Sequence, residues 1–421
     1  MLDLNFIKEN PSKVKEAIKK KGYNVELVDQ FLTIDEKRRD LIGKIEVLRA
    51  ARNKLGKNEI EKGRNIKEEL KKLEPELKET EVKLKELLFQ IPNLPAEDVP
   101  LGKDESENVE VKKWGKPRKF DFKIKNYQEL GECLGIIDTK TAAKVSGTRF
   151  GYLKNEAVLL EFALINFGFD LLIKEGFIPV VSPTLISFDS MSGLGYMENG
   201  GQENMYFLEK DNLFLVGTAE HALVPMHKNE VIEGSRLPLR YVGFSSAFRR
   251  EAGSYGKDTA GIFRVHQFDK LEMVSFIEPQ EKDDEKEHNY LLSLEEKIVQ
   301  ALQIPYQITK MCTGDLGHPV SRKFDLNCWF PSENRYRETH SVSTCTDYQA
   351  RRLNIKYNDK KGKMGLVHIL NGTAIAIGRT ILAILENYQQ KDGSVEIPKV
   401  LQKYIFLPTG MAGFKKITTK K

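Results

Sequence analysis

Apolar residues recur at every seventh position over the first quarter of the chain. Ile34, Leu41, Leu48 and Leu55 form one row, with Ile45 in the alternate seam position. After a break, Ile66, Leu73 and Leu87 form a second row beside Leu70, Leu77, Leu84 and Ile91. Two such segments, separated by residues 56–63, predict an antiparallel helical hairpin over about 30–92. Helices of roughly 25 to 30 residues would reach roughly 40 Å at 1.5 Å per residue. Two features depart from an ideal seam. Arg38 and Arg52 occupy seam positions, and Pro75 lies inside the second helix, where it removes a backbone donor and predicts a kink. Ahead of the hairpin, residues 1 to about 28 predict a helical lead-in, started by Asn10-Pro11-Ser12 and ended by a basic run before Gly22.

The heptad rhythm stops at Ile91-Pro92-Asn93-Leu94-Pro95. A polar, acid-rich linker follows over 97–114, so a domain boundary is expected near residue 100, giving domains 1–100 and 101–421. In the second domain, Glu156–Lys174 predicts an amphipathic helix with Leu159, Phe162, Ile165, Phe169 and Leu172 on one stripe. Further helices are predicted over 281–302 and 378–388, and strands over 177–181, 213–216, 240–244, 306–311, 323–329 and 335–343. Strands interspersed with few helices predict an α+β domain with a mainly antiparallel β-sheet flanked by helices. No GxGxxG or GxxxxGK[ST] string occurs, which removes the usual sequence signs of a Rossmann or P-loop nucleotide site.

The composition of the 421-residue chain, 30% charged and 40% hydrophobic with a net charge of +5, is that of a globular protein with a polar surface. The charge is clustered. Residues 49–67 hold seven cations (Arg49, Arg52, Lys54, Lys57, Lys62, Arg64 and Lys67) against Glu59 and Glu61. A solvated helical face and a surface for a phosphate backbone both fit that cluster. Cys133, Cys312, Cys328 and Cys345 form no CxxC pair and have no histidine at finger spacing, so reduced thiols are expected and neither a zinc site nor a disulfide framework. No apolar run approaches the roughly 20 residues that span a bilayer. The N-terminus has no apolar core of a secretory signal. A cytoplasmic location without membrane attachment is the expectation.

The chemistry concentrates in residues 244–272, FSSAFRREAGSYGKDTAGIFRVHQFDKLE. Arg249, Arg250 and Glu251 precede a glycine-bearing loop, and Arg264, Val265, His266, Gln267 and Phe268 follow it. The pattern predicts strand, loop and strand. Arginine forks grip phosphate oxygens, and an aromatic face stacks on a base. A nucleotide-holding hairpin and a salt-bridged hairpin both fit these residue types. Elsewhere, LNGTAIAIGRTILAILENYQ places Arg379 near a helix start, a physically sensible phosphate site. In GTAEHAL, Thr218 and Glu220 read in isolation as a helix cap and its partner. In YRETHSVSTCTDYQARRLNIKY, His340 reads in isolation as a core histidine.

Taken as strings, these segments resemble a known family. FRREAGSYGKDTAG with FRVHQFDKLE is similar to motif 2 of class II aminoacyl-tRNA synthetases, and specifically of the seryl-tRNA synthetase family. The helix ending in FIPVVSPTL resembles motif 1, and LNGTAIAIGRTILAILENYQ resembles motif 3. GTAEHAL and the YRETHSVSTC string resemble segments of the seryl branch, and the order of lead-in, arm, linker and catalytic domain is that of the family. The resemblance implies an ATP-dependent ligase of protein biosynthesis. Serine would be activated to seryl-adenylate with release of pyrophosphate, then transferred to the 3′ end of tRNA(Ser), with tRNA(Sec) a second candidate.

The resemblance also implies residue roles. Arg249 would hold the α-phosphate, Glu251 would read the adenine amino group, Val265 would give a backbone contact, and Phe268 would stack on the base. Arg264 and Arg379 would bind the outer phosphates, with Arg250, Thr339 and His340 completing the ATP site. Glu338 and Ser341 would hold Mg²⁺ between phosphates, an oxygen donor set that suits this cation. Arg249, Arg379 and Glu338 would be catalytic. Thr218, Ala219, Glu220 and Arg249 would bind the amino-acid end of serine, and Glu272, Thr373 and Asn371 its hydroxyl. Arg49, Arg52, Lys54, Lys57, Lys62 and Arg64 would contact the long variable arm of the tRNA, and motif 1 would build a homodimer.

Four positions depart from the family pattern: ETHS where EISS is frequent, Asn327 in place of Glu, Ala260 in place of a basic residue, and Pro75 in the arm. Two other classes of function compete. An adenylating paralogue that charges a carrier protein would lack the arm. A catalytically inactive coiled-coil binding paralogue would have lost the arginines and acids that are present.

Overall fold

The heptad rows form the two longest helices of the protein. The structure is a computed structural model, and it describes residues 1–421 except 57, 253–260, 280–282, 360, 406–414 and 419–421. The chain divides into two compact units, Met1–Leu94 and Pro95–Lys421. The division falls before the expected residue 100 because the next residues bond into the second unit. Ala96 N donates to Ser321 O, and Asp98 pairs with Lys310 and Arg322.

In the first unit, α1 (Leu4–Glu9) and α2 (Pro11–Lys20) lead into α3 (Glu26–Asn53) and α4 (Ile60–Gln90). Pro11 sits in the first turn of α2, where its missing N–H costs nothing. Val28, Phe31, Leu41 and Ile45 of α3 and Leu70, Leu84 and Leu88 of α4 are buried. Ile91, just past α4, is also buried, whereas Ile34, Leu48, Leu55, Ile66, Leu73, Leu77 and Leu87 are half-buried, as expected of a two-helix seam with no third wall. Gly63, expected in the break, instead lies within α4; a Cβ there would sit 3.4 Å from the Leu55 side chain. The helix also continues past Pro75, which is exposed. Arg38 is neutralised in the seam by buried Asp35, 2.7 Å away, which Arg39 and Lys8 also face. Toward the tip, Arg49 pairs with Glu74 and Lys62 with Glu59. Exposed Arg52, Lys54 and Arg64 have no acidic partner among the described residues. Lys57 lies outside the described residues.

The second unit is built on an eight-stranded sheet: β1 (Val109–Trp114), β2 (Ile178–Val181), β3 (Leu239–Phe248), β4 (Gln267–Ile277), β5 (Tyr306–Lys310), β6 (Arg322–Phe330), β7 (Arg335–Thr346) and β8 (His368–Ala376). Their order is β1-β5-β6-β7-β8-β4-β3-β2, antiparallel except for the parallel β2–β3 pair at one edge. Helices α5 (Glu156–Lys174), α6 (Asp283–Ala301) and α7 (Ile377–Asn387) cover one face. There Leu271, Met273, Val342, Leu370 and Ala374 join the main core. Residues 213–215, predicted as a strand, pair in a separate three-stranded sheet.

The predicted stripe on α5 is corrected by its packing. Ala157, Leu160, Leu164, Phe167, Gly168 and Leu172 face the core, whereas Phe162 is 58% exposed. The helix is apolar on nearly every side, so period alone does not mark its inner face. Gly168 marks it instead: a Cβ there would lie 2.6 Å from Leu271 of β4. None of the four cysteines is in a disulfide; Cys312, Cys328 and Cys345 are buried and Cys133 is exposed.

Candidate nucleotide and amino-acid site

The uncovered face of β3, β4, β7 and β8 forms the floor of a cavity of about 1000 Å³. Strand period alone would put Glu338 on the opposite face from Ser341. A bulge reverses this: β6 pairs Leu326 with His340 and Asn327 with Glu338, so Thr339 is the extra residue. Glu338, Thr339, Ser341 and Ser343 consequently all line the cavity. On β4 and β8, Glu272 and Thr373 are direct cross-strand partners, also beside a register shift.

At one end of the cavity the cations gather. Arg249 follows β3; its Nε donates to Gly217 O at 3.1 Å, and its guanidinium lies 5.3 Å from the centre of the Phe268 ring. Glu251 has left-handed backbone, φ +53°, a costly conformation for a non-glycine residue and one that concentrates at functional sites. Its carboxylate lies 3.1 Å from Arg264. Arg379, in the first turn of α7, donates to the main-chain oxygen of Glu338 at 3.0 Å and to its carboxylate at 3.1 Å. The Phe263 ring centre lies 4.7 Å from the Arg379 guanidinium and 3.4 Å from that of Arg337, within cation–π range of both. Cavity walls desolvate Glu338 and raise its pKa, but Arg379 and then Lys323 outweigh that and hold the carboxyl well below the usual range.

At the other end the acids are buried. Glu272 is 2% exposed and lies 2.6 Å from Lys270 Nζ. Burial raises its pKa, and Lys270, Arg249 and the Thr218 hydroxyl oppose the rise. Glu220 opens a short helix over 220–223 and accepts hydrogen bonds from Gln349 Nε2 at 2.9 Å and from Tyr196 Oη at 2.9 Å. Burial lifts its carboxyl to about 7. His221 accepts from Gly217 N at 3.1 Å, and burial beside Arg249 and Lys270 lowers it to about 3, so it is neutral.

The cavity thus brings together Thr218, Glu220, Arg249, Glu251, Arg264, Val265, Phe268, Glu272, Glu338, Thr339, Ser341, Asn371, Thr373 and Arg379. Three expected side chains do not line it. Arg250 is exposed over Tyr206, 5.6 Å from the ring centre. Ala219 is buried at the start of the short helix. His340 is turned to the helix-covered face by the bulge, with Nδ1 2.8 Å from Thr339 Oγ1; burial lowers it to about 3. Asn327 also lies off the cavity, donating to Thr309 Oγ1 at 3.0 Å. Ala260 lies outside the described residues. Sequence reasoning missed Tyr196, Gln349, Phe263, Lys270 and Lys323. For Lys270 a signal existed: it stands two residues before Glu272 on a strand, hence on the same face.

The described residues contain no cluster of three or more His, Cys, Asp or Glu able to hold a metal by themselves. Glu338 and Ser341 offer two oxygen donors, an incomplete shell that phosphate oxygens would complete, which is how Mg²⁺ is commonly bound. No helix among the described residues is long and apolar enough to cross a membrane.

This sheet and its cavity are those of a class II aminoacyl-tRNA synthetase: residues 206–388 match the tRNA synthetase class II core domain (G, H, P, S and T). Residues 1–95 match the seryl-tRNA synthetase N-terminal domain. The chain is 45% identical over 418 residues to a serine–tRNA ligase of Dictyoglomus thermophilum, covering 96% of this chain and 98% of that one. It is 46% identical over 420 residues to one from Caldanaerobacter subterraneus, with the same coverage. The seryl-tRNA synthetase of Pyrococcus horikoshii complexed with ATP superposes with a TM-score of 0.92 at 40% identity, covering all of both chains. The cytoplasmic serine–tRNA ligase of Naegleria fowleri in complex with AMP gives 0.90 at 32% identity, covering 100% of this chain and 99% of that one. The chain belongs to the seryl-tRNA synthetase family.

Proposed function

We propose that this chain activates L-serine with ATP and transfers it to tRNA(Ser), in the cytoplasm and as a homodimer, with tRNA(Sec) a further substrate. One observation carries the reading: Glu272 and Thr373 face each other on adjacent strands inside the same cavity as Arg249, Arg264 and Arg379. A hydroxyl-reading pair therefore shares a chamber with three cations suited to a triphosphate.

In this reading Phe268 and Glu251 receive the adenine, Arg249 the α-phosphate, and Arg264 and Arg379 the outer phosphates. Glu338 and Ser341 hold Mg²⁺, which neutralises phosphate charge when bound. Glu220 and Thr218 take the serine ammonium, and Glu272 and Thr373 its hydroxyl. The serine carboxylate then attacks the α-phosphorus in line and pyrophosphate leaves. No general base is needed, since the nucleophile is already an anion. Catalysis is positioning and charge stabilisation. The terminal ribose hydroxyl of the tRNA next attacks the seryl carbonyl and AMP leaves. The basic arm tip holds the long variable arm of the tRNA by its backbone. Exposed Phe162, Ile173, Ile178 and Val181 on α5 and β2 supply the apolar face of the dimer. The test is serine-dependent ATP–pyrophosphate exchange, with and without transfer to serine tRNA. Absence of exchange overturns the enzyme reading. Exchange without transfer favours a carrier-protein substrate.

A further inference from the structure

Lys270, one of two buried lysines among the described residues at 7% exposed, stands on β4 and lines the cavity. A lysine in such a place loses most of its hydration and needs a fixed partner. Its ammonium lies 2.6 Å from Glu272 Oε2. Two residues apart on one strand, the two side chains rise from the same face, so the pair is built into the pleat and does not depend on a loop. Glu272 needs this partner. It is 2% exposed and fully within the sheet, with Thr373 opposite it on β8 and Gly243 on β3. Other charges face the pair: Arg249 from the end of β3, Glu220 from the short helix, and Glu295, fully buried, from α6 beneath the sheet. Burial is the main cause that opposes ionisation of Glu272, and Lys270 is the principal cation against it.

We propose that Lys270 is a positioning residue for serine selection: its ion pair holds the Glu272 carboxylate charged and aimed into the cavity, so that it accepts a strong hydrogen bond from the serine hydroxyl and is left uncompensated by alanine. The inference rests on the serine-binding reading above. The physical basis is the difference between charged and neutral acceptors. Hydrogen bonds to a charged group are roughly twice as strong as neutral ones, and an unsatisfied buried charge is more costly than an unsatisfied neutral carboxyl. Sites that hydrogen-bond a substrate hydroxyl reject the analogue lacking it on this basis.

The experiment is a double-substitution cycle of Lys270→Met and Glu272→Gln, read by amino-acid-dependent ATP–pyrophosphate exchange with serine and with alanine. In the Lys270→Met variant the KM for serine rises about tenfold and the serine-over-alanine preference falls about tenfold. The KM for ATP stays within about twofold, and Lys270→Arg recovers part of the preference. In the Glu272→Gln background, Lys270→Met has little further effect, because the group it positions is already neutral. Thermal unfolding of each variant identifies those that fail to fold. For that case Lys270→Gln provides a second single substitution for the same cycle. An equal loss in both backgrounds overturns the inference, as does a rise in ATP KM matching that for serine, which would make Lys270 a nucleotide contact. If the unaltered protein shows no serine-dependent exchange, the functional reading itself fails. Exchange in the unaltered protein with an additive cycle removes the role of Lys270 alone.

Discussion

Replacing Tyr196 with Phe should move the pH dependence of serine use toward higher pH. Burial is the main cause that lifts the Glu220 carboxyl to about 7; nearby Glu272 adds to it, while the Gln349 and Tyr196 donors restrain it. In the proposed complex the serine ammonium pairs with ionised Glu220. Below about pH 7 the carboxyl is protonated in the free enzyme and serine must displace that proton, so kcat/KM for serine falls about tenfold per pH unit. Above it, the value levels off. Tyr196 donates to both Glu220 oxygens, at 2.9 and 3.1 Å. Hydrogen bonds to a charged group contribute about 1.5–3 kcal/mol. Losing the donor corresponds to roughly one to two pH units. Pyrophosphate exchange at limiting serine, from about pH 5.5 to 8.5, checks this. Proton binding by ATP is common to both proteins and cancels in the comparison. A midpoint that stays in place or moves down would refute the assignment of Glu220 and Tyr196. A flat profile in the unaltered protein would refute the raised carboxyl.

Three further outcomes are expected. Alanine at Arg52, Lys54 and Arg64 together should weaken tRNA charging and lower its salt slope by roughly 2, with serine exchange unchanged; parallel loss of both activities would show that the arm tip is no dedicated RNA element. Glu338→Gln should lower exchange about 10- to 100-fold and raise the Mg²⁺ concentration needed, since it removes a charged partner 3.1 Å from Arg379; activity within about twofold of the original would exclude this role. Val181→Arg, at a position 77% exposed, should convert a dimer to a monomer in light scattering; an unchanged mass would place the dimer contact elsewhere.

Long-period features were legible in the chain. The heptad rows gave α3 and α4, and Glu156–Lys174 is helical over its expected length. Many of the cavity's arginines and glutamates were also legible, because the strings that hold them resemble those of a known family, whereas Lys270 and Lys323 were not. Features set by packing were not. Nothing in the alternation of β7 announces that Thr339 is an extra residue, and it alone decides that Glu338 faces the cavity and His340 the helices. The exposed side of α5 was hidden for a related reason: Phe162 and Leu160 are both apolar, and only the close approach of β4 at Gly168 separates inside from outside. Tyr196 and Gln349 escaped notice because they reach Glu220 from segments 24 and 129 residues away.

Glu272, Thr373 and Asn371 stand on two interior strands of the sheet, paired on both sides. Arg249, Glu251, Arg264 and Arg379 stand at a strand end, in the connecting segment and in a first helical turn. In the proposed assignment, the two halves of the cavity are therefore held by different parts of the fold. Nucleotide contacts can be retuned by changing the ends of elements at little cost to folding. Accepting another amino acid would mean redesigning the centre of the sheet, where each replacement also disturbs its cross-strand neighbours and the helices behind them. On that assignment, fidelity toward serine is coupled to folding: variants that relax selectivity at the sheet centre are expected also to reduce the amount of native protein.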